Sequence, residues 1–133
     1  MDAMDVVSNN IDNYRILITG SRDWYDSIAI RNAIINECIK TKYNVVIVHG
    51  GARGADYLAG RIADELQLDV EVYKADWDTY GKAAGFIRND KMVKLGADVC
   101  LAFIKNSSRG ATMCADLAEK SGIPVKTWRY DDD

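Results

Sequence analysis

Three short segments of the chain set arginine beside glycine: Gly20-Ser21-Arg22-Asp23-Trp24, His49-Gly50-Gly51-Ala52-Arg53-Gly54 and Lys105-Asn106-Ser107-Ser108-Arg109-Gly110. Glycine lets backbone N–H groups approach an anion closely, and a guanidinium adds charge with forked hydrogen bonds. The chemistry that suits these residues is the holding of a phosphate. A fourth arginine, Arg88, shares a stripe with Ala84, Met92 and Leu95 if a helix runs from about Lys82, and so interrupts an otherwise apolar face. A buried guanidinium without an anion partner is costly, which favours an Arg88 aimed across a crevice over one whose stem merely covers the core. Trp77 and Tyr80 lie just upstream, where an aromatic serves either to stack on a base or as a hydrophobic lid.

Other chemistries find less material. One His and three scattered Cys offer no paired ligand spacing, so no metal site is expected. No Gly-Lys-Ser/Thr closes a Walker loop, and no GxGxxG is followed by an acidic residue at the right distance. Magnesium-triphosphate chemistry and dinucleotide oxidoreduction therefore lose support, and no cofactor is implied. There is no nucleophile elbow. His49, at a strand end before two glycines, reads as a residue that orients its loop. Asp56 reads as a first-turn helix residue favoured by the dipole, and Asp23 as a turn former. Cys114 falls on an apolar helical stripe and is expected in the core.

The elements that must position these residues follow from the hydrophobic period. Arg15 to Thr19, Val45 to His49 and Val99 to Ile104 are short apolar, largely β-branched runs, whereas Val70 to Tyr73 and Val125 to Trp128 alternate apolar with polar. Between them come helical spacings, clearest at Ala55, Leu58, Ala59, Ile62, Ala63, Leu66 and at Gly110, Met113, Cys114, Leu117, Ala118. Alternation of strand and helix predicts an α/β fold: a single Rossmann-like three-layer domain, a parallel sheet of five strands with helices on both faces. Continuous apolar runs suit strands covered on both faces and alternating ones suit edges, which selects the order 3-2-1-4-5 over 2-1-3-4-5. In that order the winding reverses between the first and fourth strands, and the crevice there should gather the three loops.

Composition frames this reading. The chain has 133 residues and a formal net charge of −3, one domain's worth, whose core buries roughly two-thirds of the unfolded surface. The acidic balance argues against broad nucleic-acid or anionic-membrane binding. Cys38, Cys100 and Cys114 are odd in number, widely spaced and set among apolar residues, which reads as buried free thiols in the reducing cytoplasm. Residues 1–13 carry Asp2, Asp5 and Asp12 and no apolar run, so they are expected as a flexible arm rather than a signal peptide, and no stretch is long enough to span a membrane. Residues 14–130 are then the domain, and 131–133 a solvated acidic tail.

As an ordered series, Arg15 to Trp24, Val48 to Asp56, Ala75-Asp76-Trp77, Gly81 to Gly85 with Ile87-Arg88-Asn89, and Ser108 to Thr112 resemble the motifs of the YspA-type branch of the SLOG superfamily over about residues 14 to 128. The resemblance implies a Rossmann-like domain that binds nucleotides or nucleotide-derived ligands, in a superfamily that includes the Lonely Guy phosphoribohydrolases, the DNA-processing protein DprA and domains of bacterial and phage conflict systems. Lonely Guy enzymes pair an arginine from an earlier helix, matched here by Arg88, with the glutamate of Thr-x-x-Glu. Here Ala115 stands in that glutamate's place after Thr112, and Asp116 is one residue late, about 100° around the helix. An adjacent carboxylate stabilises the cationic sugar of N-glycoside cleavage, so an expected catalytic group is missing, with Asp56 and Asp23 left as the candidate stand-ins.

The expectation is a protein that binds a nucleotide-like small molecule, to sense it or, if phage-encoded, to sequester it. Its ligand residues would be Gly20, Ser21, Arg22, Asp23, Gly50, Gly51, Arg53, Gly54, Asp56, Trp77, Arg88, Asn89, Ser108, Arg109, Gly110 and Thr112. Hydrolysis of a nucleoside 5′-monophosphate, with Arg88 catalytic, is the competing reading, and single-strand DNA binding as in DprA a lesser one. Relatives often form dimers, so a homo-oligomer is a further expectation.

Overall fold

The computed structural model describes residues 12–132. The expected N-terminal arm falls outside them except at Asp12 and Asn13, as does Asp133. The chain runs β1 (Asn13–Gly20), α1 (Ser27–Ile39), β2 (Asn44–His49), α2 (Ala55–Glu65), β3 (Asp69–Val72), α3 (Trp77–Tyr80), a 3-10 turn (Gly81–Ala83), α4 (Ala84–Leu95), β4 (Val99–Lys105), α5 (Arg109–Lys120) and β5 (Val125–Tyr130). One five-stranded parallel sheet has the order β3-β2-β1-β4-β5, as the apolar patterning predicts. Among the central strands β2 and β4 are buried along nearly all their length and β1 from Ile16 to Thr19, while β3 and β5 at the edges are half-buried or exposed along their length.

Alternation along the central strands feeds two cores. Ile16, Ile18, Ile47, Leu101 and Phe103 pack with α1 and α2 on one face, and Leu17, Val46, Val48 and Cys100 pack with α4 and α5 on the other. Alanines at 55, 59 and 63 of α2 are buried against the sheet; small side chains let that helix approach it closely. Local signals set the helix ends. Asp26 accepts from Ala29 N at the start of α1 and Asp76 from Thr79 N at the start of α3, and Gly96 ends α4 at a φ of +87° that favours glycine.

One buried charge ties the layers. Glu37 of α1 is 2% exposed and accepts from Tyr14 Oη (2.8 Å), Lys126 Nζ (2.6 Å) and Lys40 Nζ (3.2 Å). Burial works to raise its pKa, but these donors outweigh it and hold the carboxyl below its usual range. The C-terminal acidic stretch is not wholly free in solvent: Asp132 N donates to Asn106 Oδ1 at 2.8 Å, and Asn106 Nδ2 donates back to Asp132 Oδ2 at 3.2 Å. Cys38, Cys100 and Cys114 are free thiols, but only Cys100 and Cys114 are buried as expected; Cys38, near the end of α1, is half-buried. No helix among the described residues is long and apolar enough to cross a membrane.

Phe103 is fully buried, stacked on Trp128 at 4.9 Å and tilted against Trp24 at 5.5 Å. Phe103→Ala therefore lowers stability by about 3 to 5 kcal/mol, seen in urea unfolding as an earlier midpoint with an unchanged slope; a loss under about 1 kcal/mol would contradict the packing described.

Candidate functional site

The loops after β1, β2 and β4 meet because their backbones interlock. Ser21 is 1% exposed: its N–H donates to Phe103 O at 2.9 Å, and its hydroxyl accepts from Lys105 N at 2.7 Å and donates to Lys105 O at 3.3 Å. Its own carbonyl accepts from Ala55 N at 3.2 Å. A Cβ on Gly20 would overlap Ala55, and one on Gly54 would overlap the backbone of Ser21 and Arg22. Gly54 also sits at a φ of +73°, so only glycine suits it.

A cleft of about 580 Å³ opens at this junction. Of the residues expected from sequence, it brings together Gly20, Arg22, Asp23, Arg53, Asp56, Trp77, Arg88, Asn89, Ser108 and Gly110. An adjoining hollow of about 490 Å³ shares Arg22, Arg53, Trp77 and Arg88 and adds Gly50, Gly51 and Lys74. Ser21, Gly54, Arg109 and Thr112 line neither. Ser21 and Gly54 serve the loop packing, and Arg109 is exposed. Sequence reasoning did not single out Lys82, Phe86 and Met113, which line the cleft, or Lys74. Lys82, set among glycines and alanines in Gly81-Lys82-Ala83-Ala84-Gly85, was the legible one.

The β2–α2 loop is held by charge from both sides. Arg88 Nη1 donates to Gly50 O and, at 3.4 Å, to Tyr73 O, while its Nε donates to Asn89 Oδ1 at 2.7 Å. A Cβ on Gly50 would overlap the guanidinium. On the other side Asp56 Oδ2 accepts from Gly50 N at 3.1 Å and Ala52 N at 3.3 Å. Gly51 N donates to His49 Nδ1 at 2.9 Å, which needs a neutral imidazole. Burial, then the nearby Arg88, lowers the His49 pKa and supplies that state. The amides of Gly50, Gly51 and Ala52, expected from sequence to meet an anion, are thus already spent inside their own loop.

The free donors lie at α5. First-turn amides have no intrahelical partners, and Ser108, the N-cap, makes no side-chain capping bond. Ser108, Gly110 and Ala111 line the cleft, and the Thr112 hydroxyl oxygen is buried with no hydrogen-bond partner among the described residues. This twelve-residue helix directs its positive end at a cleft that already holds Arg22, Arg53, Lys82 and Arg88. Ala115 is 7% exposed and packs with Ala102, Ile104 and Ala111, so the position of the missing glutamate is core. At the mouth Trp77 is 48% exposed, with the Arg22 guanidinium 5.5 Å from its ring centre.

Asp56 is the electrostatic exception. It is 5% exposed in a cleft lined by cations, and burial pushes its pKa up to about 6, against the pull of the Ala52 and Gly50 amides and of Arg88 and Arg22. A carboxyl whose pKa is raised on folding binds its proton more tightly in the folded state, so stability falls as pH rises from the unfolded value towards 6 and stays lower above it. Asp56→Asn keeps an oxygen for the two amides and removes the charge. It should raise stability at neutral pH by up to about 3 kcal/mol, an advantage that disappears by about pH 4; an Asn variant that melts lower than wild type at neutral pH would contradict this.

A family model described as the YspA, cpYpsA-related SLOG family matches residues 14–80. The chain is 47% identical over 116 residues to the "Gene 61 protein" of Mycobacterium phage D29, a match that covers 84% of this chain and 93% of the phage protein. No solved structure gave a significant match. The matched stretch runs from β1 to Tyr80 and so contains the first two of the interlocked loops and the cleft's Trp77; the chain belongs to the YspA, cpYpsA-related SLOG family.

Proposed function

We propose that the protein binds a nucleotide or nucleotide-derived small molecule, with its phosphate at the N-terminus of α5 and the base near Trp77. The observation that carries this is the uncapped α5 terminus, whose Ser108, Gly110 and Ala111 open on a cleft lined by Arg22, Arg53, Lys82 and Arg88. Membership of a SLOG family supports a nucleotide-related ligand. Binding is favoured over hydrolysis because Ala115 is packed into the core where a glycosidase of this kind needs its glutamate. Such a protein would sense or sequester its ligand in the cytoplasm, where its three thiols stay reduced.

The test is a thermal-shift and calorimetric screen of nucleoside mono- and diphosphates. A ligand at 100 times its Kd adds roughly 2.7 kcal/mol of stability. Arg22 makes no hydrogen bond or ion pair within the described residues, so Arg22→Ala should leave the unliganded melting point near wild type and weaken binding roughly tenfold or more. Absence of a shift with every nucleotide would sink the proposal. Catalytic release of free base in the same mixtures would replace binding by hydrolysis.

A further inference from the structure

From the burial and bonding of one carboxylate, and resting on the nucleotide-binding reading above, we infer that Asp56 receives the sugar hydroxyls of the ligand and makes the site select ribonucleotides over deoxyribonucleotides. Asp56 spends Oδ2 on the amides of Gly50 and Ala52. Its Oδ1 meets no donor among the described residues. Nor is that oxygen sealed in: the one buried side-chain oxygen or nitrogen without a partner among them is Thr112 Oγ1. The carboxylate is 5% exposed and lines the cleft, so its free oxygen faces the cavity.

An ionised carboxylate repels phosphate and accepts hydrogen bonds from neutral donors. Depth in the cleft then assigns the donor. Asp56 shares the buried floor with Ile18 and Thr19, whereas Trp77, the flat surface suited to a base, is half exposed at the mouth. The amides for a phosphate are those of α5. The part of a nucleotide that joins phosphate to base is the sugar, and its 2′ and 3′ hydroxyls are paired neutral donors. Loop geometry alone does not call for a carboxylate, since an asparagine oxygen would accept the same two amides without the charge.

The experiment compares ribonucleoside 5′-monophosphates with their 2′-deoxy counterparts, for wild type and for Asp56→Asn. Wild type should bind the ribo form roughly tenfold or more tightly, and Asp56→Asn should bring the ratio close to one. A loop merely loosened by the substitution weakens both ligands alike and leaves the ratio intact, which separates recognition from support. A second arm needs no variant: the ratio in wild type should fall between about pH 8 and pH 5 as the carboxyl protonates. Both ligands carry the same phosphate, so its titration cancels. The groups facing Asp56 are Arg88 of α4 and Arg22 of the β1–α1 loop, which stay charged, and the Cys114 thiol of α5, which burial pushes up to about 11. His49, at the end of β2, has its pKa lowered and is neutral over most of that range. Equal affinity for ribo and deoxyribo forms, or a preference that survives Asp56→Asn, overturns the inference while leaving nucleotide binding intact. Failure of every nucleotide to bind removes both.

Discussion

Gly50 has its N–H held by a carboxylate and its carbonyl by a guanidinium, and the shape of the cleft depends on that clamp. Asp56 reaches it from the first turn of α2 and Arg88 from α4, two helices on opposite faces of the sheet. The clamp joins the layers at the carboxyl ends of the strands, where the absence of a side chain at residue 50 leaves room for the guanidinium. Arg88 also bonds the carbonyl of Tyr73, just past β3, so one side chain fixes the ends of two neighbouring strands. The interlocked Ser21 and Gly54 backbones do the same for the loops after β1 and β2, and Ser21 joins them to β4. A rigid rim is thereby made from segments that have no regular hydrogen-bond ladder of their own.

This construction changes what the basic residues are for. Arg88 spends at least two of its donors on the protein, so it acts as scaffold first and as a source of positive potential second. Arg22, over the Trp77 ring, and Lys82 keep more of their charge for the cavity. The buried Asp56 sits among them at a cost to stability, the pattern expected where a site needs a group that the fold alone does not. The overall charge of −3 therefore coexists with a cluster of cations, Arg22, Arg53, Lys82 and Arg88, at one cleft.

Much of the fold was legible because burial on both faces leaves a continuous apolar run and burial on one leaves alternation. Val45 to Val48 against Val70 and Val72 was enough to order the strands. The gathering of arginines beside glycines was legible for a related reason, since few local structures need both. What the sequence did not show is what each donor meets. The amides of Gly50, Gly51 and Ala52 look available in a string of letters and are consumed by His49 and Asp56 in space. Asp56 has the ordinary position of a dipole-stabilising residue, and its burial is set by contacts remote in sequence. Ser21 looked like a phosphate ligand and is a backbone fastener. Asp132 is exposed, and its hydrogen bond to Asn106, 26 positions away, had no signal in the sequence.

The most direct test follows backbone amides by nuclear magnetic resonance during titration with a nucleoside 5′-monophosphate. The amides of Gly110 and Ala111 should move most, and those of Gly50, Gly51 and Ala52 should change little because their hydrogen bonds are already made. Large shifts confined to Gly50 through Ala52, with Gly110 and Ala111 unmoved, would contradict the account.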